Sequence, residues 1–178
     1  HGMTGAQLRS QMYWSLLSGA AGHFYGAHPV WPFDAEAADG FGDSSAPPYD
    51  TWENAIDSEV ADDLIHIRRL IDTRPMEELE PDWDVDVVTS GRESAARFAA
   101  AARSRDGSLI LAYLPDRRTV TVDLSRITIG DSANARWVDP RTGNATGIGR
   151  VPTRGDQGFT PPTDDDWLLV IENAASAP

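Results

Sequence analysis

From Ala6 to Ala20 the apolar side chains return every three or four positions: Leu8, Met12, Leu16 and Ala20 form one stripe, with Tyr13 and Leu17 beside it. That spacing predicts a helix with a broad apolar face. Thr4, with Gln7 three residues on, has the form of a capping box at its start, and Gly19 and Gly22 are stop signals at its end. The aromatic run Gly22 to Gly26 then reads as a brief buried strand. It opens into a long loop from Ala27 to about Thr51, punctuated by Pro29, Pro32, Gly40, Gly42, Pro47 and Pro48. Loops of this length inside compact domains are usually functional or mobile. Val60, Leu64, Ile67 and Ile71 restore helical spacing from about Ser58 to Asp72, with Pro75 beyond the end.

From Pro81 the period changes to two. Val85 with Val87, Arg97 to Ala102, Leu109 to Leu114, Val120 with Val122, Ala135 to Val138 and Trp167 to Ile171 are short apolar or alternating runs. Turn signals separate them, among them Arg105-Asp106-Gly107, Asp139-Pro140-Arg141-Thr142-Gly143 and the pair Pro161-Pro162. Short strands at this spacing predict an antiparallel sandwich or barrel. The division falls at residues 1–80 and 81–178.

The first part poses a physical difficulty. One short strand between two amphipathic helices cannot satisfy its own backbone or bury both faces, because parallel strands need neighbours on each side. The N-terminal part therefore reads as incomplete, with the rest of an α/β domain lying elsewhere.

Charge and composition narrow the partners. The 28 acidic residues outnumber the 15 basic ones, and a net charge of -13 repels nucleic acid and anionic membrane surfaces. The chain has no cysteine, so disulfides, thiolate nucleophiles and Cys-ligated metals are excluded. No apolar run approaches the roughly 20 residues of a membrane span. The first residues lack a charged segment followed by an apolar stretch, so the chain reads as cytoplasmic or as beginning elsewhere. There is no phosphate loop, no His-Glu-x-x-His and no Gly-x-Ser-x-Gly elbow, and Gly147-Ile148-Gly149 does not open a helix after a strand.

Arg9, the run Gln11 to Gly26 and Trp31 resemble the end of the apiosidase-like barrels, glycoside hydrolase family 140 and its relatives. The resemblance continues through Trp52, Ile56-Asp57-Ser58 and His66-Ile67-Arg68 to Pro81-Asp82. Further on, Trp137 to Gly143, Phe159-Thr160-Pro161-Pro162 and Asp166 to Val170 are similar to the small collagen-binding-type sandwich that follows those barrels. The resemblance implies an α/β plus all-β chain: the last strand and helices of an incomplete (β/α)8 TIM barrel over residues 1–80, then an antiparallel β-sandwich over 81–178. A full barrel takes about 250 residues. It implies catalytic carboxylates lying before residue 1, and a second polypeptide or further chain supplying the rest of the barrel. The chain alone is expected to be inactive. The implied enzyme is secreted, cell-surface or periplasmic. It acts on an oligo- or polysaccharide containing a pentofuranose, such as an apioside or arabinofuranoside, without metal or organic cofactor. A binding module for carbohydrate or matrix, without catalysis, is the alternative.

In barrel enzymes the site lies at the C-terminal strand ends, so residues after Tyr25 would face substrate. Tyr25 and His28 are the leading candidates for substrate binding, with His23 and Trp31 beside them: imidazole and phenol to bond hydroxyls, an indole to carry a sugar face. The acidic residues Asp34, Glu36, Asp39 and Asp43 read as a solvated loop, since a mobile segment cannot fix a carboxylate pair. Asp164-Asp165-Asp166 reads as a charged turn, and His66 as surface or helix-end chemistry. Trp83, Trp137 and Trp167 sit in or beside apolar runs and are expected to be buried, which favours a structural brace over a binding module.

Overall fold

Helix α1, Gly5–Leu17, begins where the sequence places it: the Thr4 side chain accepts from the Gln7 N–H and the Gln7 side chain accepts from the Thr4 N–H. Ser18 caps its end and Gly19 follows at φ +91°, a left-handed conformation that glycine adopts without strain. A computed structural model describes residues 4–26, 30, 52–74 and 76–173 of the chain. Within it a short helix α2, Trp52–Ile56, precedes α3, Glu59–Asp72.

Nine strands follow in the described residues: β1 Leu79–Pro81, β2 Val88–Ser90, β3 Ala100–Ser104, β4 Leu109–Leu114, β5 Val120–Asp123, β6 Ser132–Val138, β7 Ala145–Pro152, β8 Asp156–Phe159 and β9 Trp167–Asn173. They form a six-stranded sheet in the order β1-β3-β4-β9-β6-β7 and a three-stranded sheet in the order β2-β5-β8. Every pairing is antiparallel.

Alternation along the strands divides the core in two. Ile110, Ala112 and Leu114 of β4 with Leu169 and Ile171 of β9 face the second sheet and pack with Val120, Val122 and Phe159. Their neighbours Leu109, Leu111, Tyr113, Leu168 and Val170 face the other way, onto Met12, Tyr13, Leu16 and Leu17 of α1 and Ile67 and Leu70 of α3. The central strands β4 and β9 are thus covered on both faces. A fully buried Leu, Ile or Val contributes roughly 1.5–3 kcal/mol, so both clusters matter to stability. Ala100 and Ala102 of β3 complete the helix-facing surface with small side chains.

This arrangement corrects the expected fold in its first half. No barrel strand exists among the described residues: Gly22 to Gly26 joins no sheet. The physical shortage is resolved differently from the expectation. The helices bury their apolar stripes on the outer face of the antiparallel sheet, and no parallel strand is needed beneath them. The result is a mostly β, sandwich-like fold with a helical layer. Val85 and Val87 are also not strand; Val85 sits in a turn at φ +56°. No described helix is long and apolar enough to cross a membrane.

Candidate functional site

The segment after α1 holds two of the four residues singled out from sequence. His23 is exposed, and its Nδ1 lies 3.3 Å from Ser15 Oγ. Ser15 Oγ already donates to the Gln11 carbonyl, so His23 Nδ1–H is the donor in that pair. Tyr25 packs partly buried against the helix-facing core, while Phe24 between them is 92% exposed. His28 and Trp31 lie outside the described residues, as do Asp34, Glu36, Asp39 and Asp43.

A charged cluster that sequence reading did not assemble ties the helical layer to the sheet. Arg9 is buried on α1, three and four residues before the core residues Met12 and Tyr13. Its Nε and Nη2 donate to the two oxygens of Asp166, each at 2.8 Å, and its Nη1 to Asp63 of α3 at 2.8 Å. Tyr113 of β4 donates to Asp166 at 3.0 Å, and its hydroxyl also meets Ser10 Oγ at 3.0 Å. Tyr13 stacks on Tyr113 with ring centroids 4.6 Å apart. Asp166, read from sequence as part of a charged turn, is therefore a buried anchor, whereas its neighbour Asp165 pairs with Arg141. Burial alone would lower the Arg9 pKa, but the bonds to Asp166 and Asp63 outweigh it and raise it. The signal in sequence was an Arg on the apolar side of a helix; its partners, 54 and 157 residues away, had none.

Burial, reinforced by the Asp166 charge, pushes the Tyr13 and Tyr113 phenols well above their ordinary value. Both stay protonated in the folded chain after the unfolded chain loses those protons near pH 10. The folded state then holds more protons, so stability is fully present below about pH 10 and falls as pH rises through the folded values. Urea titrations from pH 8 to 11.5 are expected to show this loss, with a shallower slope in Tyr13→Phe. An unchanged slope in that variant would remove Tyr13 from the account.

His66 of α3 is half-buried and lines the cleft between α3 and β6–β7. Its Nδ1 packs without a hydrogen-bond partner over Gly143, where an added Cβ would come within 2.5 Å of that nitrogen. Gly143, at φ +69°, closes the predicted Asp139–Gly143 turn by donating its N–H to the Asp139 carbonyl at 2.8 Å.

Three clefts are lined by described residues. One of about 470 Å³ lies between α1 and the loops at Ala96 and Pro115. A second of about 470 Å³ lies where the ends of α1 and α3 meet β1, and a third of about 300 Å³ lies between α3 and β6–β7. None of the three brings two carboxylates together, the arrangement glycosidic cleavage requires. Among the described residues no group of three or more His, Asp or Glu is placed to hold a metal ion. Of the three tryptophans expected to be buried, Trp137 and Trp167 are, but Trp83 is 67% exposed.

Residues 81–172 match the family model described as "Putative collagen-binding domain of a collagenase", and residues 1–78 match "Apiosidase-like, catalytic domain". The chain belongs to the collagen-binding-domain family, with an apiosidase-like segment before it. A solved structure named "Glycoside hydrolase" superposes with TM-score 0.84 at 23% identity, over 98% of this chain and 38% of its own. A glycoside hydrolase family 5 structure from Bacteroides vulgatus ATCC 8482 gives TM-score 0.85 at 24% identity, over 99% of this chain and 37% of its own. At that identity the likeness speaks for the fold alone. The chain spans less than two fifths of the length of either structure. No curated protein matches it. The apiosidase-like segment includes α1, Tyr25 and α3.

Proposed function

We propose that this chain is the C-terminal part of a glycoside hydrolase acting on pentofuranose-containing glycans, apiosides or arabinofuranosides, with catalytic carboxylates carried elsewhere in the enzyme. The observation that carries the proposal is the order of the two matched regions: an apiosidase-like segment over residues 1–78 runs directly into the collagen-binding-type domain over 81–172. In this reading residues 1–78 contribute to the wall of the substrate site. Tyr25 and His23 offer a phenol and an imidazole to sugar hydroxyls, with His28 and Trp31 on the segment that follows. The two carboxylates act as proton donor and as nucleophile or base. A second polypeptide, or further chain, carries them, and the whole enzyme works outside the cytoplasm on an oligo- or polysaccharide.

The test is hydrolysis of p-nitrophenyl α-L-arabinofuranoside and of an apioside by the chain alone and by the chain joined with the remainder of the enzyme. Only the assembled enzyme is expected to be active, and Tyr25→Phe in it is expected to lower kcat/KM by about tenfold, the scale of one lost hydrogen bond to substrate. Turnover by the isolated chain would contradict the placement of the carboxylates.

The exposed Trp83 favours a second reading, a matrix- or polysaccharide-binding role for residues 81–172. Retention of the whole chain on insoluble xylan or collagen, lost in Trp83→Ala, is its measurement.

A further inference from the structure

The cleft between α1 and the loop at residues 91–97 is built at a conformational cost that a simple connection does not need. The loop joins β2 to β3, yet Glu93 at φ +56° and Ala95 at φ +51° are both non-glycine residues in the left-handed region. Gly91, at φ +78°, has no room for a Cβ, which would be driven into the Thr119 carbonyl oxygen. One guanidinium holds the segment: Arg118 donates through Nε to the Gly91 carbonyl at 2.8 Å and through Nη2 to the carbonyls of Arg92 and Arg97. Arg118 is in turn paired with Asp116, which also binds Arg97. Backbone strain of this kind persists only where the surroundings over-determine it, and it gathers at ligand clamps.

What the loop encloses is chemically uniform. The cleft of about 470 Å³ is lined by Gln7, Gln11 and Trp14 of α1, by Ala96 of the loop, by Pro115, and by Ala6 and Ser10. This volume falls within the usual range for small-molecule sites. No lining residue is charged, although 24% of the chain is. An ion therefore gains no counter-charge from these walls, and a neutral polyol ring loses nothing. Trp14 is fixed in place: its Nε1 donates to the Phe98 carbonyl at 2.9 Å, and its ring meets Phe98 edge-on at 6.5 Å. An indole already ordered by its own bonds costs little further entropy when a sugar face stacks on it. The Gln7 carbonyl is used by the Thr4 N–H, which leaves its amide N–H groups for hydroxyl acceptors.

We propose that this cleft binds one sugar residue of a neutral oligosaccharide, stacked on Trp14 and bonded by the amide N–H groups of Gln7. The proposal stands on the loop and α1, and holds whether or not the catalytic reading does. Isothermal titration calorimetry of the full chain with arabinopentaose and xylopentaose, and with trigalacturonate as the charged comparison, tests it. At least one neutral pentasaccharide is expected to bind, and trigalacturonate to bind more weakly. Ala96→Trp fills the cleft from an exposed loop position and is expected to weaken binding about tenfold or more. Gln11→Ala, on the exposed side of α1, is expected to weaken it less, and thermal melting is expected to be unchanged in Ala96→Trp. Binding by neither neutral probe, equal binding of trigalacturonate, or unchanged affinity in both variants would overturn the proposal.

Discussion

Arg9→Met is expected to lower folding stability by about 3–5 kcal/mol, the cost of breaking a buried ion pair from one side. The magnitude follows from what is left behind. Asp63 and Asp166 are both buried, and each loses the guanidinium it bonds at 2.8 Å. Asp166 keeps only the Tyr113 hydroxyl among the bonds described above, which does not neutralise a carboxylate. Urea denaturation followed by tryptophan fluorescence and by circular dichroism measures the loss. Because Arg9 joins α1 to α3 and to the entrance of β9, the variant is also expected to release its helical layer before the sheet, so that the two probes no longer coincide. Replacing Arg9, Asp63 and Asp166 together with apolar residues of similar size is expected to recover most of the stability, since no buried charge then remains. A cost below about 1 kcal/mol for Arg9→Met would mean that water reaches the two carboxylates and that the cluster is an ordinary surface pair.

Asp82→Ala is expected to cost about 3 kcal/mol or more. One Asp82 oxygen accepts from the N–H groups of Asp86 at 2.8 Å and Val87 at 3.0 Å; the other accepts from Val88 at 2.9 Å and from Arg92 at 3.2 Å. The side chain replaces a strand partner for three successive backbone donors, and the bonds to Val87 and Val88 are buried. Each buried donor left unmade costs about 1–3 kcal/mol. At about 2–4 °C per kcal/mol for a chain of this size, the melting temperature is expected to fall by roughly 6–12 °C. Asp82→Asn keeps the shape but turns N–H groups toward the backbone donors, so it is expected to recover only part of the loss. A melting temperature within a degree or two of wild type for the Ala variant would show that the turn relaxes to find other acceptors.

That same turn explains one limit of the sequence. Val85 and Val87 alternate as strand residues do, but a carboxylate three residues before Val85 competes for the local backbone, and Val85 is driven to φ +56°. Trp83, carried on this turn, faces solvent for the same reason. Where an apolar run has no such competitor it is reliable: Leu109 to Leu114 and Trp167 to Ile171 lie within β4 and β9. Edge strand β7 was not legible, because Gly147 and Gly149 carry no side chains and almost all of its residues are exposed. Its hydrogen bonds to β6 are a property of the backbone, which leaves no trace in hydropathy. Helices α1 and α3 were legible in position and in apolar face but not in what that face covers, and the short α2 was not foreseen. The run at Gly22 to Gly26 looked like a strand because aromatic residues favour strands, although it joins no sheet among the described residues. Of the candidate site, Tyr25 and His23 are placed beside α1, while the clamp formed by Arg118 on the 91–97 loop depends on carbonyl positions that no residue pattern announces.

The seat of β9 in the middle of the six-stranded sheet has a consequence for biosynthesis. Trp167–Asn173 pairs with β4 on one side and β6 on the other, although both were translated well before it. Until those residues emerge from the ribosome, two interior strands present bare edges of unpaired amides and carbonyls, the kind of surface that templates aggregation. Premature termination between Val138 and Trp167 therefore yields a product with two sticky edges instead of a smaller domain.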